Sequence, residues 1–121
     1  MHGVPKDLPI DRFVGQQFNQ ICLGRFQIQF QANGAGSICV EGHWELRDHR
    51  DTIIDAGQAH AQREAFRVHQ IIDLPITGFT IDAPRSFTLL FENGIRLTIF
   101  DDSPEHESFS VHLDRGSAIR V

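Results

Sequence analysis

Apolar and polar residues alternate with a period of two over most of this chain, and two Asn-Gly pairs punctuate the alternation. In FQIQFQ (26–31), Phe26, Ile28 and Phe30 share one face while Gln27, Gln29 and Gln31 share the other, as in a half-buried strand. SICVEGHWEL (37–46) reads as the next strand, with Ile38, Val40, Trp44 and Leu46 on the inner face and Cys39, Glu41, His43 and Glu45 on the outer. Ahead of both, FNQICLG offers Ile21 and Leu23 to a core. Gly24, and Asn33-Gly34 with Gly36, stand at the joints, where glycine adopts positive φ at little cost.

The C-terminal half follows the same plan. GFTID presents Phe79 and Ile81, SFTLLF presents Phe87, Leu89 and Phe91, Asn93-Gly94 makes a hairpin turn, and IRLTIF presents Ile95, Leu97 and Ile99. SFSVHL adds Phe109, Val111 and Leu113, and SAIRV supplies an edge. The parallel implies an internal pseudo-repeat, over about 13–46 and 71–111. Two copies do not make a solenoid. The expected fold is mainly β (α+β): two similar antiparallel three-stranded meanders, packed as a barrel or a sandwich so that each covers the other's apolar face.

One helix is expected between the halves, over about 59–72. Ala61, Ala65, Val68 and Ile72 fall at helical spacing with Phe66 beside them, and Pro75 follows. RDHRDTIIDAGQ, just before it, reads as turn, short strand and turn.

A length of 121 residues suits a single domain over 1–121, and 40% hydrophobic with 22% charged residues is an ordinary globular composition. No apolar run nears the ~20 residues of a membrane helix, and MHGVPKDLPI lacks the basic start and apolar centre of a signal peptide. The expected compartment is the cytoplasm, with no membrane partner and with Cys22 and Cys39 as reduced thiols. A formal charge of −5, with eleven basic residues scattered singly, disfavours nucleic acid and suits a basic protein partner.

The candidate chemistry lies in two places. Asp101, Asp102, Glu105, His106, Glu107 and His112 offer oxygen and nitrogen ligands, and Asp101, Asp102, His106 and His112 are the candidates for a metal. Their spacing matches no closed metal motif, and Asp101-Asp102-Ser103-Pro104 is ordinary turn chemistry, so the favoured reading is a solvated loop with no cofactor. Glu107 could pair with Arg96 across the sheet. Glu41, His43 and Glu45 alternate onto one face, as a solvated polar face or as a base between two carboxylates. Trp44 is a stacking platform or interface anchor on one reading and core on the other. No nucleophile elbow or phosphate loop occurs.

The stretches FVGQQFNQICLG, SICVEGHWELRD and the run from REAFRVHQ to ESFSV carry GHWEL, FENG and DDSPEHESF. In these the chain resembles the bacterial domain-of-unknown-function family 6188, from Phe13 to Val111. The resemblance implies a small bacterial protein of unsettled role and carries over no catalytic residues. The leading expectation is therefore a non-enzymatic module of the immunity or regulatory type that binds another bacterial protein. The alternatives are a small-molecule or metal-binding β protein, such as a hydrolase, and a homodimer paired through an exposed sheet edge.

Overall fold

The structure, a computed structural model, describes residues 3–24, 27–57, 66–101 and 109–113, and the backbone of 118–120. These residues form ten strands in two antiparallel sheets. In the first sheet β1 (Gln20–Leu23), β2 (Ile28–Ala32) and β3 (Gly36–Val40) run as a meander, followed by β9 (Phe109–Leu113) and β10 (Ala118–Arg120), in the order β1-β2-β3-β9-β10. In the second, β4 (Trp44–Arg47) and β5 (Ile53–Ala56) flank the meander of β6 (Ile76–Asp82), β7 (Ser86–Phe91) and β8 (Arg96–Phe100), in the order β5-β4-β8-β7-β6. The sheets are not closed into a barrel.

Alternation becomes register directly. Phe30 pairs with Ile38 and Ile38 with Val111, so one inward row crosses β2, β3 and β9. Leu46 pairs with Leu97 and Leu97 with Leu89, giving the matching row in the second sheet. All six side chains are fully buried and belong to one hydrophobic cluster that draws on both sheets. Ring contacts join the sheets across it: Phe30 meets Trp44 edge-on at 6.3 Å, and Phe87 meets Phe109 at 5.0 Å. Each such side chain contributes about 1.5–3 kcal/mol by leaving water, so burial in the shared cluster stabilises both sheets.

The expected strand 37–46 is in fact two strands in different sheets. The chain leaves β3 at Val40, bends through Glu41 and Gly42, and enters the other sheet at Trp44. Ile38, Val40, Trp44 and Leu46 all remain buried. Both sheets bury their apolar side chains in the one cluster, so the inward residues stay in alternation as the chain passes from one sheet to the other, and the pattern cannot reveal the switch. As a result the stretch 13–46 is divided between the sheets, and β4 lies beside the second meander.

Both Asn-Gly turns form where expected. Gly34 and Gly94 each have φ +86°, and the Ile95 N–H donates to Asn93 Oδ1 at 3.2 Å. Gly36 is more constrained: its φ is +134°, and a Cβ there would lie 2.0 Å from the carbonyl oxygen of His112 on β9.

Of the expected helix 59–72, residues 59–65, with Ala61 and Ala65, lie outside the described residues. The described part holds only a 3₁₀ turn, Val68–Ile71, that buries Val68 and Ile71, three apart rather than four. The chain is extended again at Ile72 and reaches φ +68° at Asp73. The reason is a carboxylate: Asp55 on β5, 7% exposed, accepts the N–H groups of Ala56, Arg67 and Val68 at 2.8, 2.7 and 2.9 Å. An N–H held by Asp55 cannot continue a helical ladder from upstream.

Residues 3–18, which show no period in the sequence, line the core with Val4, Leu8, Ile10, Phe13 and Phe18. Backbone bonds fix both ends of this segment, from Val4 N–H to Pro84 O at 2.9 Å and from Gly15 N–H to Ile76 O at 2.7 Å.

Candidate functional site

The outward side of the second sheet carries a connected set of polar side chains. Glu45, Thr98, Thr88 and Thr80 stand in one cross-strand row, and Arg47 pairs with Arg96 in the next. The inward partners Leu46, Leu97 and Leu89 hold these strands rigid, so the outward residues project at fixed spacing.

The charged members form a chain of contacts. His43 Nε2 lies 3.3 Å from Glu45 Oε1, and Arg47 donates to Glu45 Oε2 through Nε at 3.4 Å and Nη2 at 3.3 Å. Arg47 Nη1 also donates to the Asp51 carbonyl at 2.8 Å, while Arg96 Nη2 donates to Asp51 Oδ1 at 2.6 Å. Asp51 sits at φ +67°, a conformation that aspartate tolerates better than most residues, and it reaches both arginines from there. The His43 ring leans on Phe100, with centroids 4.9 Å apart. Thr88 and Thr98 share a hydrogen bond of 2.9 Å beside this chain. Charges balance along the ladder, two carboxylates against two guanidiniums, so the face offers alternating sign rather than a single field.

The turn that carries Asp51 is closed by Asp48, whose Oδ1 accepts the N–H groups of Thr52 at 3.0 Å and Arg50 at 2.9 Å. The Thr52 N–H, assisted by that of Arg50 and by the nearby positive charge of His49 and Arg50, holds the Asp48 carboxyl below its ordinary value. Beside this turn a cleft of about 490 Å³ opens between His49, Ile53, Ile54, Arg67 and Gln70.

The residues singled out in the sequence fall in several places. His43 and Glu45 are in the ladder, and Glu41 is exposed at the bend between the sheets. Trp44 is core, 1% exposed, with its ring edge-on to Phe30 and no surface for a partner to stack on. Asp101 follows β8 directly, and the Phe100 N–H donates to the His43 carbonyl at 3.0 Å, so Asp101 does lie alongside the His43 segment. Its carboxylate, however, accepts the Gly3 N–H at 2.7 Å and ties the N-terminal segment to the end of β8. Asp102, Glu105, His106 and Glu107 lie outside the described residues. Arg96, expected to face Glu107, bonds Asp51. His112 belongs to the other sheet, 3.0 Å from Ser110 Oγ. Among the described residues no three His, Cys, Asp or Glu are grouped to hold a metal ion.

The outward side of the first sheet differs in kind. Its described side chains include Gln20, Cys22, Gln29, Gln31, Ser37, Cys39, Ser110 and His112, with no carboxylate, lysine or arginine. Cys22 and Cys39 stand on either side of Gln29 in one row. Two strand spacings, roughly 9–10 Å, exceed the ~7 Å limit between the Cα atoms of a disulfide, so both remain thiols.

Arg47, Asp51 and the Asp55 clamp were not singled out from the sequence. Asp55 had no usable signal, since its in-phase neighbour Ile53 is 47% exposed and the bulge between β4 and β5 breaks the alternation there. Asp51 had none, since its role depends on two strands that meet only in the fold.

No family model, no curated protein and no solved structure matches this chain. Among the described residues, no helix is long and apolar enough to cross a membrane.

Proposed function

We propose that this chain is a non-enzymatic protein-binding module whose contact surface is the outward face of the second sheet. The observation that carries the reading is the ladder His43–Glu45–Arg47–Asp51–Arg96, a set of half-exposed, mutually restrained charges on a rigid sheet. Pre-ordered charges lose little conformational entropy on binding, and alternating sign rewards a partner whose own charges match in register. The excess of acid over base in the chain as a whole steers a basic partner toward it. An immunity-type or regulatory role within a bacterial cell, in keeping with the resemblance to domain family 6188, follows this logic of charge complementarity. The similar three-stranded meanders, one per sheet, are in keeping with an internal duplication packed as a sandwich.

The test is affinity capture from a lysate of the organism that encodes the chain, comparing the unaltered protein with Glu45→Lys and Arg96→Glu. A partner held by the unaltered protein and released by both reversals supports the reading. A partner held equally by all three places the contact elsewhere, and no captured partner under cross-linking argues against a binding module altogether.

A further inference from the structure

Among the described residues four strands border the two sheets, and three are guarded against pairing with another chain. On β5, Asp55 points inward and the pairing with β4 is bulged. Next to the start of β6 are Pro75 and a bulge at Ile76–Gly78, and Asp82 is exposed near its end. In sequence, β10 carries Arg120. Charges, bulges and prolines of this kind keep sheet edges from adding strands. The fourth border, β1, has none of them: its sequence is QICL, its register with β2 is unbroken, and residues 13–24 carry no charged side chain. Leu23 is 50% exposed there although it is in phase with the buried Ile28.

We infer that β1 pairs with β1 of a second copy of this chain, antiparallel across a two-fold axis, to make one continuous sheet from two. A second copy is the occupant that charge favours. In a chain with a formal charge of −5, contact between like copies is repulsive wherever carboxylates meet, and β1 with its glutamine-lined outer neighbours is the uncharged border. The pleat narrows the register, because directly opposed residues must face the same way. An axis at Cys22 sets Ile21 against the partner's Leu23, covering the exposed leucine, and sets Cys22 against its own copy at ~4.5–5.5 Å between Cα atoms, within disulfide reach. An axis at Ile21 leaves Leu23 beyond the apolar pairing. This surface is separate from the ladder on the other sheet, so neither proposal depends on the other.

The experiment is sedimentation equilibrium of the full chain over a concentration series, for the unaltered protein and Leu23→Lys, with far-UV circular dichroism to confirm that both are folded. The expected result is a mass of twice 13.7 kDa that returns to 13.7 kDa in the variant. Diamide then reads the register. It takes two electrons and two protons from a pair of facing thiols, which become a disulfide while diamide becomes the hydrazine. Cross-linked dimer in the unaltered protein and in Cys39→Ser, but not in Cys22→Ser, sets the axis at Cys22. A Leu23→Lys-sensitive dimer without the cross-link upholds the edge pairing and moves the axis off Cys22. A single-chain mass throughout, or a dimer indifferent to Leu23→Lys, overturns the inference.

Discussion

Asp55 Oδ2 accepts the backbone N–H of Val68 at 2.9 Å across 13 positions of the chain, and through this bond the edge of the second sheet is fastened to the 3₁₀ turn that follows it. The same oxygen takes the N–H of Arg67, and Oδ1 takes that of Ala56. Hydrogen bonds to a charged group contribute about 1.5–3 kcal/mol each, and those left unmade in a buried place cost most. Asp55→Ala should therefore lose about 3 kcal/mol in urea unfolding. Asp55→Asn should recover only part of this, since its carbonyl accepts and its NH₂ does not.

Trp44 is the single tryptophan and is 1% exposed, so its fluorescence reports the core directly. The emission should be blue-shifted and resist iodide quenching in the native state, and both properties should be lost in one step on unfolding. Gly57→Ala should perturb the same signal, because a Cβ there would lie 2.8 Å from Trp44 Cδ1 and Nε1. An emission maximum near that of free tryptophan would place the ring outside the core.

Gly36→Ala tests the tightest approach in the first sheet. Backbone stands on both sides of the clash, Gly36 on β3 and His112 on β9, so no side chain can swing away. The expected loss is about 3 kcal/mol or more, at the severe end for single substitutions. Gly34→Ala makes the comparison, since its nearest neighbour is the Gln16 side chain at 3.7 Å. It should cost about 1 kcal/mol for its positive φ alone.

Removing ladder charges should hardly change stability. The side chains are 20–38% exposed for Glu45, Arg47, Arg96 and His43, and exposed ion pairs contribute about 0–1 kcal/mol. Glu45→Gln and Arg96→Ala should unfold within about 1 kcal/mol of the unaltered protein. Stability that survives while the proposed contact is lost would separate a binding role from a scaffolding one.

Asp48 supplies a pH dependence whose sign is determined. Its folded pKa is depressed below the ordinary 3.8 by the Thr52 N–H, so the turn 48–52 gains stability when the carboxylate is ionised. That gain is complete above the ordinary value and disappears as pH falls through the folded one. Carboxyl-carbon NMR should show Asp48 titrating below 3.8, and Asp48→Asn should abolish the acid sensitivity of the Thr52 amide. A midpoint at or above the ordinary value would contradict the hydrogen-bonded geometry.

Strand identity was legible wherever a two-residue period ran between turn residues. Ile28 and Phe30, then Phe87, Leu89 and Phe91, then Ile95, Leu97 and Ile99 all face the core, and both Asn-Gly turns form. What alternation could not encode was which sheet a strand joins, as the bend at Glu41-Gly42 demonstrates. The helical reading failed at residues 66–72 because Val68 and Ile72 matched a periodicity that Asp55 overrides by taking the N–H groups of Arg67 and Val68. At the candidate site, the outward placement of His43 and Glu45 follows from strand phase alone. Asp51 is brought to Arg47 and Arg96 by a turn whose positive φ carries no distinctive residue in the sequence.

The switch from β3 to β4 also governs the order in which the protein can be completed. β3 gains its second neighbour only when β9 is made, some seventy residues later, after the whole second sheet has been laid down. A nascent chain thus holds a finished sheet beside an unfinished one, with the hydrogen-bonding groups of β3 facing an open gap. It is β9, beside β3, that seals it.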